Sequence, residues 1–156
     1  MRQPIKSHHS LSHRAKNGKR VLIIENKPAF LSLLRDTFRA ERFTVLTAAT
    51  GRNGLEIAFR EHPDLIILGI LMPEMDGLTV LRRLRHDRHK WGRYVPVIIL
   101  SNPETIADGT KYAYDYLVKA AWTLADLVRK ANEKLRLSAV PMIQKTHKSR
   151  QLLAGA

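Results

Sequence analysis

The sequence of 156 residues contains no cysteine, and this absence removes several classes of site. Without thiols there is no disulfide framework, no thiolate-bound zinc or iron–sulfur centre and no cysteine nucleophile. Apolar runs extend over only a few residues, well short of the roughly 20 that a membrane-spanning helix needs. The first twenty residues also lack the apolar stretch of a secretory signal. We therefore expect a cytoplasmic protein that has no membrane partner.

Acidic residues are missing from both ends of the chain. The whole sequence has 27 Lys and Arg against 14 Asp and Glu, a formal charge of +13, yet residues 1–20 and 138–156 contain no acid. Neither end has the regular apolar spacing of a packed element. The sequence therefore predicts flexible basic tails over 1–19 and 138–156 around a single domain over 20–137. The tails are either solvated extensions or electrostatic arms for nucleic acid or an acidic partner.

Between the tails, short apolar runs alternate with longer segments of helical spacing. The runs predict five strands, over residues 20–24, 43–47, 65–68, 95–100 and 116–118. Three of the runs are continuously hydrophobic, which is typical of parallel strands covered by helices on both faces. Right-handed crossovers then favour an α/β fold with a parallel sheet in the order 2-1-3-4-5.

The segments between the strands contain residues that favour helix starts and ends. These are Pro28, Thr50, Pro63, and the pair Thr123 and Asp126, which is spaced as in a capping box. A further helix is predicted over about 77–86, with leucines facing the sheet and Arg82, Arg83 and Arg85 facing outward. We expect this helix to run into a loop.

Four sequence blocks, in this order and spacing, resemble the response-regulator receiver domain: VLIIENKP, HPDLIILGILMPEMDGLTVLRRLR, PVIILS and DYLVKA. The resemblance implies a flavodoxin-like (βα)5 three-layer sandwich. It also implies a part in two-component, phosphorelay signal transduction, where a histidine kinase transfers a phosphoryl group to an aspartate at the end of the third strand. In that family the aspartate and an acidic pair after the first strand bind a divalent metal.

The sequence departs from the family pattern at the centre of this site. The phosphoacceptor position is occupied by Gly69, and the acidic pair is Glu25 and Asn26, so one carboxylate remains of the usual three. Glycine has no side chain to phosphorylate. Because magnesium requires several converging oxygen ligands, we expect weak or absent Mg²⁺ binding, no cofactor and no catalytic residue. The sequence thus predicts a pseudo-receiver.

Three further positions match residues that the family uses. Ser101 matches the hydroxyl and Lys119 the lysine that bond the phosphoryl oxygens, and Tyr116 matches the aromatic that changes rotamer on activation in many members. One interpretation is that these polar groups and Glu25 are vestigial, so that Lys119 bonds either Glu25 or solvent. The other is that they form a relocated pocket for a small anion. The sequence leaves both interpretations open.

The segment SNPETIADGTKYAYDY is about one helical turn shorter than receivers usually have before the fifth strand. We expect the helix there to be short or irregular, which remodels a face on which receivers commonly dock partners or a second subunit. Tyr112, Tyr114 and Tyr116 are either an interface anchor or ordinary packing residues.

A basic stretch follows the third strand and its helix. It carries Arg82, Arg83, Arg85, Arg88, Lys90 and Arg93. Asp87 is the single acid among them, and Trp91 and Tyr94 are interleaved. One interpretation is a surface that attracts phosphates or an acidic protein. The other is a solvated helix face, with Trp91 covering the edge of the sheet.

These observations favour a stand-alone receiver-like module that acts by protein–protein interaction, without phosphorylation. The expected partner is a kinase, a regulator or a second copy of the chain, and only nineteen residues follow Leu137, too few for a folded effector. The alternative is a nucleic-acid-associated adaptor that uses the tails and the stretch 82–93, which steep salt dependence of binding would reveal. An enzyme is disfavoured because the sequence contains no nucleophile–base pair, glycine-rich phosphate loop or metal cluster.

Overall fold

The structure, a computed structural model, describes residues 18–88, 90–101, 115–118 and 122–138, without the side chains of 101, 115–118, 137 and 138. The strands are β1 (Arg20–Ile24), β2 (Thr44–Ala48), β3 (Leu65–Gly69), β4 (Val97–Ser101) and β5 (Asp115–Val118). The helices are α1 (Pro28–Ala40), α2 (Gly51–Glu61), α3 (Gly77–Arg85), α4 (Lys90–Tyr94) and α5 (Leu124–Ser138).

The five strands form one parallel sheet in the order β2-β1-β3-β4-β5, which confirms the predicted topology. Ile24, the last residue of β1, pairs with Ala48 on one side and with Leu68 on the other. Gly69 at the end of β3 pairs with Leu100 of β4. The chain segments that follow β1 and β3 therefore emerge next to each other at the carboxyl edge of the sheet.

The core lies on both faces of the sheet, as the continuously hydrophobic strands predict. Side chains alternate along each strand, so Leu22 and Ile24 pack with α2 and α3, whereas Val21 and Ile23 pack with α1 and α5. All four side chains are fully buried. Helices covering both faces complete a three-layer α/β sandwich.

The structure differs from the sequence prediction at the start of β4. Residues 90–94 form α4 instead of a loop, and the Val95 backbone N–H still donates to Trp91 O at 2.9 Å. Pro96 has no N–H for the sheet, so β4 begins at Val97, two residues after the predicted start. The hydrogen bond of Val95 to the short helix and the missing N–H of Pro96 therefore delay the start of the strand.

The predicted helix ends are largely confirmed. Pro28 occupies the first turn of α1, and Thr50 Oγ1 accepts from the Asn53 N–H at 3.2 Å. Before α5, the Thr123 N–H donates to Asp126 Oδ2 at 2.8 Å while the Asp126 N–H donates to Thr123 Oγ1 at 3.2 Å, a reciprocal capping box. The hydrogen bond from the Thr123 backbone holds the pKa of the Asp126 carboxyl below its ordinary value.

Several expectations fall on parts of the chain outside the described residues. Both predicted tails, apart from their inner ends, lie there, so the boundaries of the domain stay a prediction. The shortened segment before β5 lies there too, with Tyr112 and Tyr114. Within the described part of the chain, no helix has the length and apolar character to cross a membrane.

Candidate functional site

The carboxyl ends of β1 and β3 bring Glu25, Asn26 and Gly69 together. Glu25 is 2% exposed, and among the described residues it is the one charged residue in the buried interior. Its backbone N–H donates to Ala48 O at 3.0 Å, which extends the β1–β2 pairing by one residue and fixes where its side chain starts. A buried carboxylate requires hydrogen-bond donors close by.

Two donors come from the residues that follow Glu25. The Lys27 backbone N–H donates to Glu25 Oε1 at 3.0 Å. The side-chain amide of Asn26 is oriented so that its nitrogen donates hydrogen bonds to two acceptors, Glu25 Oε1 and Leu71 O, each 3.0 Å away. Asn26 therefore joins the loop after β1 to the loop after β3. An aspartate in its place would set a second carboxylate against these two oxygens.

Gly69 faces the other oxygen of the same carboxylate. A Cβ at position 69 would lie 2.7 Å from Glu25 Oε2 and 3.5 Å from Ile24 O. The φ angle of Gly69 is not positive, so the backbone conformation does not require glycine there. The constraint is one of space and can be relieved, because a side chain at 69 would meet the end of the flexible Glu25 side chain.

The loop between β3 and α3 closes the site from the opposite side. The Gly77 N–H donates to Ile70 O at 2.8 Å, and a Cβ on Gly77 would collide with the backbone oxygen of Gly69. Asp76 Oδ1 accepts from the Thr79 N–H at 2.7 Å and so caps α3. The sequence analysis missed this cap. The signal was present, because Asp76 of the block MPEMDG lies three residues before Thr79, which is the ordinary spacing of a capping residue and its partner.

The remaining predicted site residues are described only in part. Ser101 ends β4 and pairs with Val118, and Tyr116 pairs with Ile99, so both backbones reach this half of the sheet. Lys119 lies outside the described residues, and its pairing with Glu25 stays a prediction. In the described part of the chain, no three His, Asp or Glu side chains converge as metal ligands would.

A groove that the sequence did not predict lies beside the site. It has a volume of about 340 Å³ and lies between the start of α1 and the start of α5. Its walls are Lys27, Phe30, Leu33, Trp122 and Leu124. Phe30 and Trp122 approach each other with ring centroids 6.4 Å apart. The groove is mostly apolar, and Lys27 connects it to the loop that holds Glu25.

The cations of the basic stretch 82–93 fall into two groups, five that are exposed and Arg85, which is partly buried. Arg82, Arg83, Arg88, Lys90 and Arg93 are exposed. The expectation that Arg85 faces outward is wrong, because its Nη1 donates to Gly92 O at 2.8 Å and to Val95 O at 3.0 Å. A guanidinium carries several donors in one plane, so a single Arg85 side chain satisfies carbonyls that the short α4 leaves without helical partners.

The two aromatic residues of this stretch have different surroundings. Trp91 packs against the core, with its ring centroid 6.4 Å from that of Phe59 and 4.8 Å from that of His62. This agrees with a packing role, in which the ring of Trp91 lies against the end of α2. Tyr94 is 67% exposed. Among the two, Tyr94 is the ring that a ligand reaches.

The comparisons with known proteins agree with this architecture. Residues 21–132 match the family model of the response regulator receiver domain. The Transcriptional activator protein PfeR of Pseudomonas aeruginosa is 33% identical over 141 residues, which make up 86% of this chain and 44% of that protein. The Regulator of RpoS of Escherichia coli is 38% identical over 94 residues, 60% of this chain and 27% of that protein.

Solved structures show the same relationship. The signal receiver domain of a signal transduction histidine kinase from Syntrophus aciditrophicus matches with a TM-score of 0.72 and 25% identity, over 79% of this chain and 94% of that one. A second match is the receiver domain of sensor histidine kinase PA1611 from Pseudomonas aeruginosa, which was solved with a magnesium ion coordinated in the active site cleft. Its TM-score is 0.68 at 25% identity, and the match covers 75% of this chain and 97% of that one. This chain spans less than half the length of the two curated relatives. It belongs to the response regulator receiver domain family.

Proposed function

We propose that this receiver domain signals without being phosphorylated, through contacts with other proteins. Receiver domains are in general signalling modules of two-component systems that interact with kinases and other regulators. The observation that carries the proposal is the replacement of the phosphoacceptor position by Gly69, together with the Glu25 carboxylate 2.7 Å from where its Cβ would be. The site that receives a phosphoryl group elsewhere in the family is thus occupied by the chain's own carboxylate.

Glu25 is a poor substitute for the missing aspartate. It is 2% exposed, so a phosphodonor has almost no access to its oxygens. Oε1 already accepts hydrogen bonds from the Lys27 backbone and from Asn26 at 3.0 Å each. A nucleophile must reach the phosphorus atom at close range, and the burial of Glu25 leaves no room for that approach. We infer that phosphoryl transfer to this site is lost.

The same residues do not fit a magnesium ion. Magnesium takes near-octahedral oxygen coordination and is usually held by more than one carboxylate or by carboxylate and phosphate together. The described site offers one carboxylate, and Asn26 directs its amide nitrogen at that carboxylate in place of an oxygen. We therefore propose that the domain works without magnesium. The hydrogen bonds of Asn26 replace the bridging that a cation gives when two acidic residues stand side by side.

The closed site also suggests how such a domain signals. Asn26 donates to Leu71 O, so the loops after β1 and β3 are joined to each other without a ligand. A receiver whose loops are joined permanently presents one constant surface. The amount of complex that it forms with a partner then depends on the concentration of the receiver. The partner we propose is a kinase, another regulator or a second copy of this chain.

The proposal is tested by calorimetric titration with magnesium and beryllofluoride, which mimics an aspartyl phosphate. We expect no heat of binding from the native protein. The Gly69→Asp, Asn26→Asp double variant restores the missing carboxylates, and Glu25 yields because the obstacle is the end of a flexible side chain. We expect this variant to bind both ligands, because three carboxylates then converge at the end of the sheet.

The matched control is the Gly69→Asn, Asn26→Asp variant, which has the same shape and lacks the new nucleophile. It should give no beryllofluoride heat, and circular dichroism should show that all three proteins are folded. Saturable binding of magnesium and beryllofluoride by the native protein would overturn the proposal.

A further inference from the structure

Five exposed cations lie close together where α3 passes into α4. We call this the α3–α4 basic surface, and its members are Arg82, Arg83, Arg88, Lys90 and Arg93. They fall within twelve consecutive residues of a chain whose formal charge is +13. The proposed signalling function assigns no role to them, and the structure gives local hydrogen bonds to two of them, from Arg82 to Thr79 Oγ1 and from Arg93 to Asp87 O. Their concentration in one place requires a separate explanation.

The backbone that carries these cations is held in place by the structure. Arg85 Nη1 ties α4 to the end of α3 through Gly92 O and Val95 O. Arg93 Nε donates to Asp87 O at 3.4 Å across the same turn. Gly92 lies so close to Leu84 O that a Cβ there would approach it to 2.5 Å. The exposed charges therefore extend from a fixed platform, which lowers the entropy lost when they bind a ligand.

The acid within the stretch does not neutralise the outer surface. Asp87 is partly buried, and its Oδ2 is shielded from solvent without a hydrogen bond from the described residues. Its side chain lies against Gly92, where a Cβ would meet Asp87 Cβ at 3.2 Å and Oδ2 at 3.4 Å. The carboxylate is thus directed toward α4, and the cations face solvent.

An exposed aromatic residue follows Arg93 directly in the chain. Tyr94, the last residue of α4, is 67% exposed, an unusual exposure for a large ring in this fold, where Trp91 packs inward three residues earlier. Arginine provides a planar fork of donors that matches the oxygens of a phosphate. An exposed ring offers a face on which an unpaired base stacks, and bases of a duplex are not available for stacking in this way.

We infer that the α3–α4 basic surface binds single-stranded nucleic acid. The exposed arginines and Lys90 contact backbone phosphates, and Tyr94 stacks on a base. An acidic protein also offers negative charge, but a single-stranded nucleic acid supplies phosphates for the arginines and a flat base for the ring in every nucleotide, which is why we favour it. No base-specific contact is required, so the binding is expected to tolerate any sequence and to depend steeply on salt.

The test is a fluorescence anisotropy titration of the full chain with a labelled oligothymidine over a range of salt concentrations. The Arg83→Gln, Arg88→Gln, Arg93→Gln variant should reduce the slope of log Kobs against log salt by about 2, since each phosphate contact on a single strand contributes about 0.7. Tyr94→Ala should weaken binding at least about fivefold and leave the slope unchanged. Tyr94→Phe should bind as the native protein does.

A charge-matched control separates the contribution of this surface from that of the overall charge of the chain. Arg39→Gln, Arg52→Gln, Arg136→Gln removes the same charge from exposed positions on α1, α2 and α5, and should leave the slope nearly unchanged. Equal losses in the two triple variants would overturn the inference, because overall charge would then explain the binding. Displacement of the oligothymidine by polyglutamate at matched charge concentration would also overturn it, in favour of an acidic protein partner.

Discussion

Replacing Gly69 by aspartate alone is expected to lower the free energy of unfolding by about 3 kcal/mol in the absence of metal. The new Cβ would lie 2.7 Å from Glu25 Oε2, so the buried Glu25 side chain has to move. The two carboxylates then share an edge of the sheet from which water is largely excluded, and their repulsion is weakly screened. Urea unfolding, followed by circular dichroism, measures the loss.

Two variants at the same position separate space from charge. Gly69→Ala introduces the Cβ alone, and Gly69→Asn introduces a neutral side chain of the same shape as aspartate. We expect the aspartate to cost at least about 1 kcal/mol more than the asparagine, which corresponds to placing one buried charge beside another. Equal losses from aspartate and asparagine would mean that the Glu25 carboxylate does not occupy the space beside Gly69.

Replacing Gly77 by alanine is expected to cost about 3 kcal/mol or more, or to prevent folding. Its Cβ would collide with Gly69 O and would lie 2.9 Å from Ile70 Cα. Both obstacles belong to the backbone of β3 and its continuation, which the sheet and the Gly77 N–H to Ile70 O hydrogen bond hold in place. Relief therefore requires α3 to move away from the sheet. Thermal and urea unfolding of the purified variant give the measurement.

Gly54→Ala is the informative comparison for Gly77→Ala. At position 54 the nearest obstacle is Ile24 Cδ1, 2.5 Å from the added Cβ, and it belongs to a side chain. The Ile24→Val change removes that atom and keeps the two γ carbons that would lie 2.9 Å from the new Cβ, so it should recover only a small part of the stability that Gly54→Ala loses. The same second change should not rescue Gly77→Ala. Rescue of both would show that the contact between α3 and the end of β3 is looser than the structure describes.

Most of the fold was predictable because it depends on repeated, local patterns. Fully buried parallel strands require continuous apolar runs, and β1 (Arg20–Ile24) shows such a run with the predicted bounds. Thr50, Thr123 and Asp126 could be identified as helix caps because capping depends on spacing of a few residues. The strand order 2-1-3-4-5 is one of the common orders of doubly wound parallel sheets with right-handed crossovers.

The departures arose where a tertiary contact overrides a local pattern. Arg85 follows the buried Leu81 by four residues, so helical spacing places it beside the buried face of α3, but that spacing does not tell what its guanidinium would bind. Only the folded chain shows that the carbonyls of Gly92 and Val95 lie within its reach. The α4 helix was missed for a different reason. It has five residues, and so short a helix shows no periodicity in the sequence.

The candidate site was predictable in its membership and not in its arrangement. Glu25, Asn26 and Gly69 were identified from a family pattern, and the order of the strands brings them together. The direction of the Glu25 side chain, and the two hydrogen bonds that hold it, depend on rotamers that the sequence does not specify. The roles of Ser101, Tyr116 and Lys119 stay predictions.

The central claim is that the Glu25 carboxylate is held by the chain's own N–H groups and not by a metal ion. Its most direct test is a two-dimensional amide NMR titration of the native protein with magnesium, read at the Lys27 amide, which donates to Glu25 Oε1 at 3.0 Å. We expect the Lys27 resonance to stay in place throughout the titration. A saturable shift of that resonance, together with those of its neighbours at the ends of β1 and β3, would contradict the account.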